Sequence, residues 1–209
     1  LVKDGKLKKS ALNDSVIFKG DDNKYYTIDK KEKICIDDEM PFDIPGTWQW
    51  CRLGTLFSHS TGKALNASNL KGQLMTYITT SNLYWDRFEL DNLKQMRFTD
   101  EEIEKCTATF GDLLVCEGGD IGRAAIWNYQ YDIRIQNHIH KLRAYKQLCT
   151  KFFFWVFYFY KATGQIGGKG IGIQGLSSKA LDNILIPLPP LKEQQRIVAQ
   201  IEKLFEQLH

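Results

Sequence analysis

The side chains able to do chemistry fall in a few places along the chain. His138 and His140 bracket Ile139, so in an extended strand both imidazoles point to one face, as a pair of metal ligands would. No third ligand follows at a matching spacing, and Asn137 beside His138 suits a hydrogen bond to a base edge or to backbone equally well. Asp112 and Glu117 stand at the two ends of an apolar run and fit in part the carboxylates of a Mg²⁺-dependent nuclease, except that Glu117-Gly118-Gly119 replaces the Glu-x-Lys of that chemistry. Gly167-Gly168-Lys169-Gly170-Ile171-Gly172 lacks the spacing of a phosphate-binding loop, and Gly118 to Arg123 lacks that of a dinucleotide site. The first reads as a flexible loop and the second as a tight turn that presents Arg123. No Pro-Pro-Tyr or Pro-Pro-Phe triplet is present to hold a base for amino methylation. Catalysis is therefore not the expectation, and no metal or cofactor is implied.

The elements that would position these residues are those of an α+β domain. The chain has 209 residues, of which 43% are hydrophobic, enough for one domain or a domain with an appendage. Residues 1–47 read as a charged, weakly structured leader, and the globular part is expected to start at Trp48. Trp50 to Phe57 reads as a short helix or turn, and the β-branched run from Leu74 as a strand. Thr99 and Glu102 have capping-box spacing, which places an acidic helix over residues 100–106. Leu113 to Cys116, Ala124 to Trp127 and Ile133 to Leu142 read as further strands, giving a mixed or antiparallel sheet with short helices. The run from Phe152 to Tyr160 holds eight of the chain's 26 aromatic residues. It is far short of the ~20 residues a membrane span needs, so it reads as a buried helix ending at Thr163-Gly164. An exposed platform for stacking bases is the alternative.

Charge is segregated. The net charge is only +3, yet residues 82–120 carry a net −6 and residues 121–181 a net +8. The basic half is the expected nucleic-acid face, against the plainer reading of a solvated surface. The five cysteines are odd in number and include no Cys-x-x-Cys pair. Together with the absence of a charged, apolar leader at Leu1, they fit free thiols in a reducing cytoplasm.

The C-terminal segment has the clearest periodicity. Proline-fixed residues 184–190 lead into a helix whose apolar line runs Leu191, Gln194, Val198, Ile201, Phe205, Leu208, widened by Ile197 and Leu204. The steps of three and four are heptad spacing. The helix either packs on its own domain or seeks a partner helix, and the stripe still running at His209 favours the second.

Several of these blocks together resemble the specificity subunit of type I restriction-modification systems. They are Trp48 to Gly54 with Thr61-Gly62-Lys63, Tyr77 to Asn82, Gly111 to Gly119, Gln136 to Arg143, Leu176 to Leu181, and Ile186 to Val198. The resemblance covers residues 41–208 and implies a charged leader (1–47), a target recognition domain (48–188) and part of a spacer helix (189–209). Because such subunits carry two recognition domains and two long helices, it implies half of a longer subunit or a half-size one that pairs with itself. The implied function is non-catalytic: one half of a split target in double-stranded DNA is read, and the spacer helix sets the gap to the other half. Modification subunits bring S-adenosylmethionine and methylate adenine, and a restriction subunit joins through the complex.

The expected DNA contacts lie on loops. They are Ser81, Asn82, Tyr84, Trp85 and Arg87 after the Tyr77 strand, Arg123 at the glycine turn, and Gln136 with Asn137 for paired bonds to adenine. Lys63, Lys71 and Lys169 are the phosphate candidates. Leu191, Val198, Ile201, Phe205 and Leu208 are the expected helix interface. Two other functions remain open beside DNA reading: a helix-mediated assembly module, and a nuclease built on Asp112 and Glu117.

Overall fold

The computed structural model describes residues 16–29, 31–66, 70–167 and 176–207. Lys169, Leu208 and residues 1–15 and 30 of the leader lie outside these residues. The chain divides into two units, one of residues 1–52 with 185–190 and the other of 53–184 with 191–209.

In the first unit, β1 (Ile17–Lys19), β2 (Tyr25–Asp29) and β3 (Glu32–Cys35) form an antiparallel meander. Three stretches within the region read as a weakly structured leader are thus strands of a sheet. Aromatic rings and lysine stems supply what the short segment lacks in aliphatic side chains: Phe18 and Tyr26 stack, and the Lys33 ammonium sits 3.8 Å from the Tyr26 ring centroid. Tyr26 donates to Asp22, which pushes its phenol up to about 12. β4 (Gln49–Arg52) pairs antiparallel with the last strand, β15 (Leu185–Leu188). The expected helix or turn over residues 50–57 is therefore corrected: β4 occupies its first half, and only Leu53–Thr55 turns, as one 3-10 turn. Trp50 is buried here against Phe42 at 5.1 Å.

The second unit holds two four-stranded sheets. One has β12 (Ala124–Ile126), β11 (Leu113–Cys116), β14 (Ile139–Ala144) and β5 (Phe57–Thr61) in that order, all antiparallel. The other has β10 (Thr107–Ala108), β13 (Ile133–Ile135), β6 (Gln73–Ile78) and β9 (Lys94–Phe98), with β13 and β6 parallel. A small hairpin, β7 (Leu83–Tyr84) and β8 (Arg87–Phe88), is inserted between β6 and β9. Ile78, Leu114, Trp127, Ile133, Ile135 and Ile139 belong to one buried cluster contributed by both sheets. The single strand expected over 133–142 is two strands. Gln136, Asn137 and His138 turn between β13 and β14, where Ile139 N returns to Gln136 O at 3.0 Å. Gly62 lets the end of β5 approach β13, because a Cβ there would lie 2.1 Å from Ile135 O.

The helices follow their sequence signals more closely. α1 (Asp100–Cys106) has the capping box in full: Thr99 Oγ1 accepts from Glu102 N, and the Glu102 carboxylate accepts from Thr99 N. α2 (Thr150–Ala162) buries Phe152, Phe153, Phe154, Phe157 and Tyr160, with Phe153 edge-on to Phe57 at 4.9 Å. α3 (Ser178–Asp182) is a short turn of helix capped by Ser177. α4 (Leu191–Glu206) is amphipathic, with Gln194 and Val198 buried. Among the described residues no helix is long and apolar enough to cross a membrane.

Candidate functional site

The segment from Thr79 to Glu89 gathers five of the eleven expected DNA contacts, but in two structural classes. Asn82 is a clamp. Its Oδ1 accepts from Thr79 N and Thr79 Oγ1, both at 2.9 Å, and its Nδ2 donates to Glu89 O at 3.0 Å. The side chain thus closes the base of the β7–β8 hairpin and is taken up by that task. Trp85 packs inward at the hairpin tip, edge-on to Tyr158 at 5.1 Å and Phe154 at 6.0 Å. Its neighbour Asp86 has φ +59 and binds Lys151 of α2.

What the hairpin presents is Ser81, Tyr84 and Arg87. The Arg87 guanidinium, with its side chain 64% exposed, pairs with Glu89 and lies 4.8 Å from the Tyr84 ring centroid. Arg123 approaches the same ring at 5.2 Å. It is a mostly buried brace, donating to Thr80 O at 2.7 Å and lying 3.9 Å from Asp120. The glycine turn does present Arg123, as expected, but presents it to the next loop. A tyrosine flanked by two guanidiniums gives planar, cationic groups of the kind that contact phosphates and base edges.

Lys63 is not placed for phosphate. It is buried, donating to Arg97 O at 2.7 Å and Glu102 Oε2 at 2.5 Å, and so ties the end of β5 to α1. Lys71 is exposed and also takes part in an interaction. Gln136 and Asn137 are half-buried at the β13–β14 turn, where their backbone amides bind Ile78 O and Lys63 O at 3.0 Å.

The two histidines do not share a face, because His138 lies in the turn and only His140 is in β14. His138 is exposed, 3.7 Å from Glu117. His140 is fully buried, with Nε2 2.6 Å from Leu176 O and Nδ1 2.8 Å from His59 Nε2. A carbonyl only accepts, so the His140 proton sits on Nε2 and Nδ1 accepts from His59. Burial holds the His140 pKa below its ordinary value. Among the described residues no three His, Cys, Asp or Glu side chains group as metal ligands.

The nuclease carboxylates are likewise separated. Asp112 is 2% exposed and accepts from Arg143 Nε at 2.8 Å, Arg143 Nη2 at 2.6 Å and Thr109 N at 2.8 Å. The arginine's own pKa rises in return. Glu117 lies beyond the far end of β11, roughly 16 Å away for five residues of strand.

The basic half of the sequence is not an open cationic face. Arg143, Lys151, Lys161 and Arg123 pair with Asp112, Asp86, Asp120 and Asp120 again, all from the acidic half. Lys141 is buried and donates to Lys105 O and Thr107 O, both at 2.8 Å, so desolvation lowers its pKa. Four of the nine bases in residues 121–181 are thus paired with acids of the other segment inside one unit.

The helix interface is divided too. Val198 and Gln194 are buried within the unit, and Gln194 Oε1 accepts from Cys149 N at 3.1 Å, which explains a polar residue in the apolar line. Leu191 and Ile201 are half-buried. Phe205, 40% exposed, stacks on Trp155 of α2 at 5.1 Å. Sequence reasoning passed over Leu74, Thr76, Gln95 and Arg97, which stand exposed on β6 and β9. The signal available was the alternation in Leu74-Met75-Thr76-Tyr77.

Comparison with known proteins places this arrangement. The family described as type I restriction modification DNA specificity domain matches residues 45–209. The type I restriction enzyme EcoAI specificity subunit of Escherichia coli is 22% identical over 181 residues, covering 81% of this chain and 30% of that protein. The crystal structure of the HsdS subunit from Thermoanaerobacter tengcongensis has a similar fold, with TM-score 0.61, 22% identity and coverage of 80% of this chain and 39% of the other. A chain from a structure on complex assembly and conformational transition of the type I R-M system matches at TM-score 0.62 and 22% identity, over 80% and 40%. The chain thus spans between 30% and 40% of the length of these relatives. With its family matched over most of its length, the chain belongs to the type I restriction modification DNA specificity domains.

Proposed function

We propose that this chain reads one half of a split target in double-stranded DNA as part of a type I restriction-modification specificity subunit. The observation that carries the reading is the family match over residues 45–209. The exposed Arg87 and the half-buried Tyr84, braced by Arg123, support it with groups suited to phosphates and bases. Residues 48–188 serve as the recognition domain and 189–209 as part of a spacer. α4, 16 residues and about 24 Å long at ~1.5 Å per residue, sets the distance to a second recognition domain or a second copy. Modification subunits dock on the assembly and supply the methylation, the restriction subunit joins through it, and this chain contributes no catalytic step.

The test is an exchange of residues 73–98, which include both the hairpin and the strands beside it, for those of another family member, followed by mapping of methylated adenines produced with the modification subunits. A changed target supports the reading, and an unchanged target overturns it. A second reading, assembly through α4, is favoured by Leu204 and Phe205, 51% and 40% exposed. Phe205→Asp with unchanged mass in light scattering and unchanged binding of modification subunits would remove it.

A further inference from the structure

β6 and β9 form a five-rung antiparallel ribbon, from Gln73 opposite Phe98 to Tyr77 opposite Lys94. Paired residues share a face, so the ribbon has two distinct sides. One side carries Met75, Tyr77, Met96 and Phe98, which pack with Cys106 and Ile103 of α1. The other carries Leu74 opposite Arg97 and Thr76 opposite Gln95, all four exposed. Leu74 is 58% exposed, a large aliphatic side chain held in water on a supported strand. Arg97 Nη1 donates to Gly72 O at 2.9 Å. Its Nε and Nη2, and the side chains of Thr76 and Gln95, have no partner among the described residues.

The platform is firm and its charge is one-sided. Gly72 has φ +90, and a Cβ there would lie 2.1 Å from Phe98 O, so the end of the ribbon closes only around glycine. Lys94 and Arg97 are the charged residues of the two strands, with no acid among them. The acids Asp100, Glu101 and Glu104 belong to α1, the helix packed on the opposite side.

We propose that this exposed side of the β6–β9 ribbon enters the major groove of double-stranded DNA and reads its bases. The proposal rests on the DNA-reading function above and names the surface that performs it. Two strands ~4.8 Å apart fit a groove ~12 Å wide, and five rungs span ~14 Å, about four base pairs. The Arg97 fork matches the O6 and N7 acceptors of guanine. The Gln95 amide matches N6 and N7 of adenine, and Leu74 and Thr76 offer methyl groups to thymine. Lys94, on the ribbon's other side at its end, lies where a phosphate would pass.

The experiment uses the full chain assembled with its modification subunits, and a pool of random-sequence duplexes as probe. Wild type is expected to enrich a defined sequence. Arg97→Ala and Gln95→Ala are each expected to relax preference at one position by about ten- to a hundredfold, with unchanged thermal unfolding because both side chains are exposed. Arg97→Lys is expected to keep most of the affinity but lose the guanine preference, since an ammonium does not match the fork. If wild type enriches a sequence and the variants enrich the same one equally well, the ribbon is not the reader, although DNA reading stands. If the variants lose modification subunits instead of sequence preference, the surface is a protein interface and the proposal fails. If wild type enriches nothing, DNA reading fails and the ribbon proposal falls with it.

Discussion

β14 and β9 are short strands of the same unit that both carry cations, and they use them in opposite ways. β14 lies between β11 and β5, and its His140, Lys141 and Leu142 are buried on both faces. β9 is the last strand of its sheet, and Lys94, Gln95 and Arg97 stand in water. A cation inside must be matched by acceptors, because desolvation would otherwise expel it. Lys141 is matched by two carbonyls, while Arg143, half in water at the strand's end, reaches in to match a buried aspartate. A cation at the edge has no such obligation and stays available to a polyanion. Position in the sheet, rather than residue type, separates cations that hold the fold from those that can bind.

The contrast is open to measurement, beginning with its most deeply buried member. Asp112→Ala should cost about 3 kcal/mol in urea unfolding, the low end for breaking a buried pair because half of Arg143 still reaches water. A loss under 1 kcal/mol would mean that the Asp112–Arg143 pair does not anchor the sheet. Lys141→Ala should cost about 2 kcal/mol, since Lys105 O and Thr107 O lose their donor.

The third expectation concerns pH. Burial depresses the His140 pKa, so between that value and the unfolded ~6.5 the unfolded chain binds the extra proton. Stability should be full above pH ~6.5 and fall on acidification below it, by at most about 1.4 kcal/mol per pH unit for this group. His140→Gln should flatten that limb of the melting profile, and an undiminished slope would count against a buried neutral imidazole.

The smallest effect on stability is expected at the edge. Lys94→Ala should change unfolding by less than about 0.5 kcal/mol while reducing the salt slope of duplex binding by about one. If it destabilised the protein as much as Lys141→Ala does, the distinction between the two strands would collapse.

Legibility in the sequence followed the range of the physics involved. α1 was readable because a capping box is satisfied within four residues. α2 was readable because nine consecutive apolar residues have no alternative but burial. The strand over 133–142 was misread because Ile133, Ile135, Ile139 and Leu142 are all core residues, and only their partners show that they serve two sheets. The β1–β3 meander was missed because its stabilising contacts are lysine stems over rings, which look like a solvated leader in composition. Among the site residues, Arg87 and Tyr84 stand where the expected loop put them. Asn82, Trp85, Arg123 and Lys63 were chosen for the right chemistry, but the structure spends it on backbone, rings and Glu102.

By itself, the sequence determined the family, through ordered local blocks, and the division of charge into an acidic and a basic half. It did not determine which charges are free. Asp112 meets Arg143 across 31 residues and Asp86 meets Lys151 across 65, separations that no local pattern encodes. Ion pairing and burial depend on distances in space, so only the tertiary structure could show that the basic half is partly neutralised from within. Only it could show a small exposed ribbon with its cations still facing water.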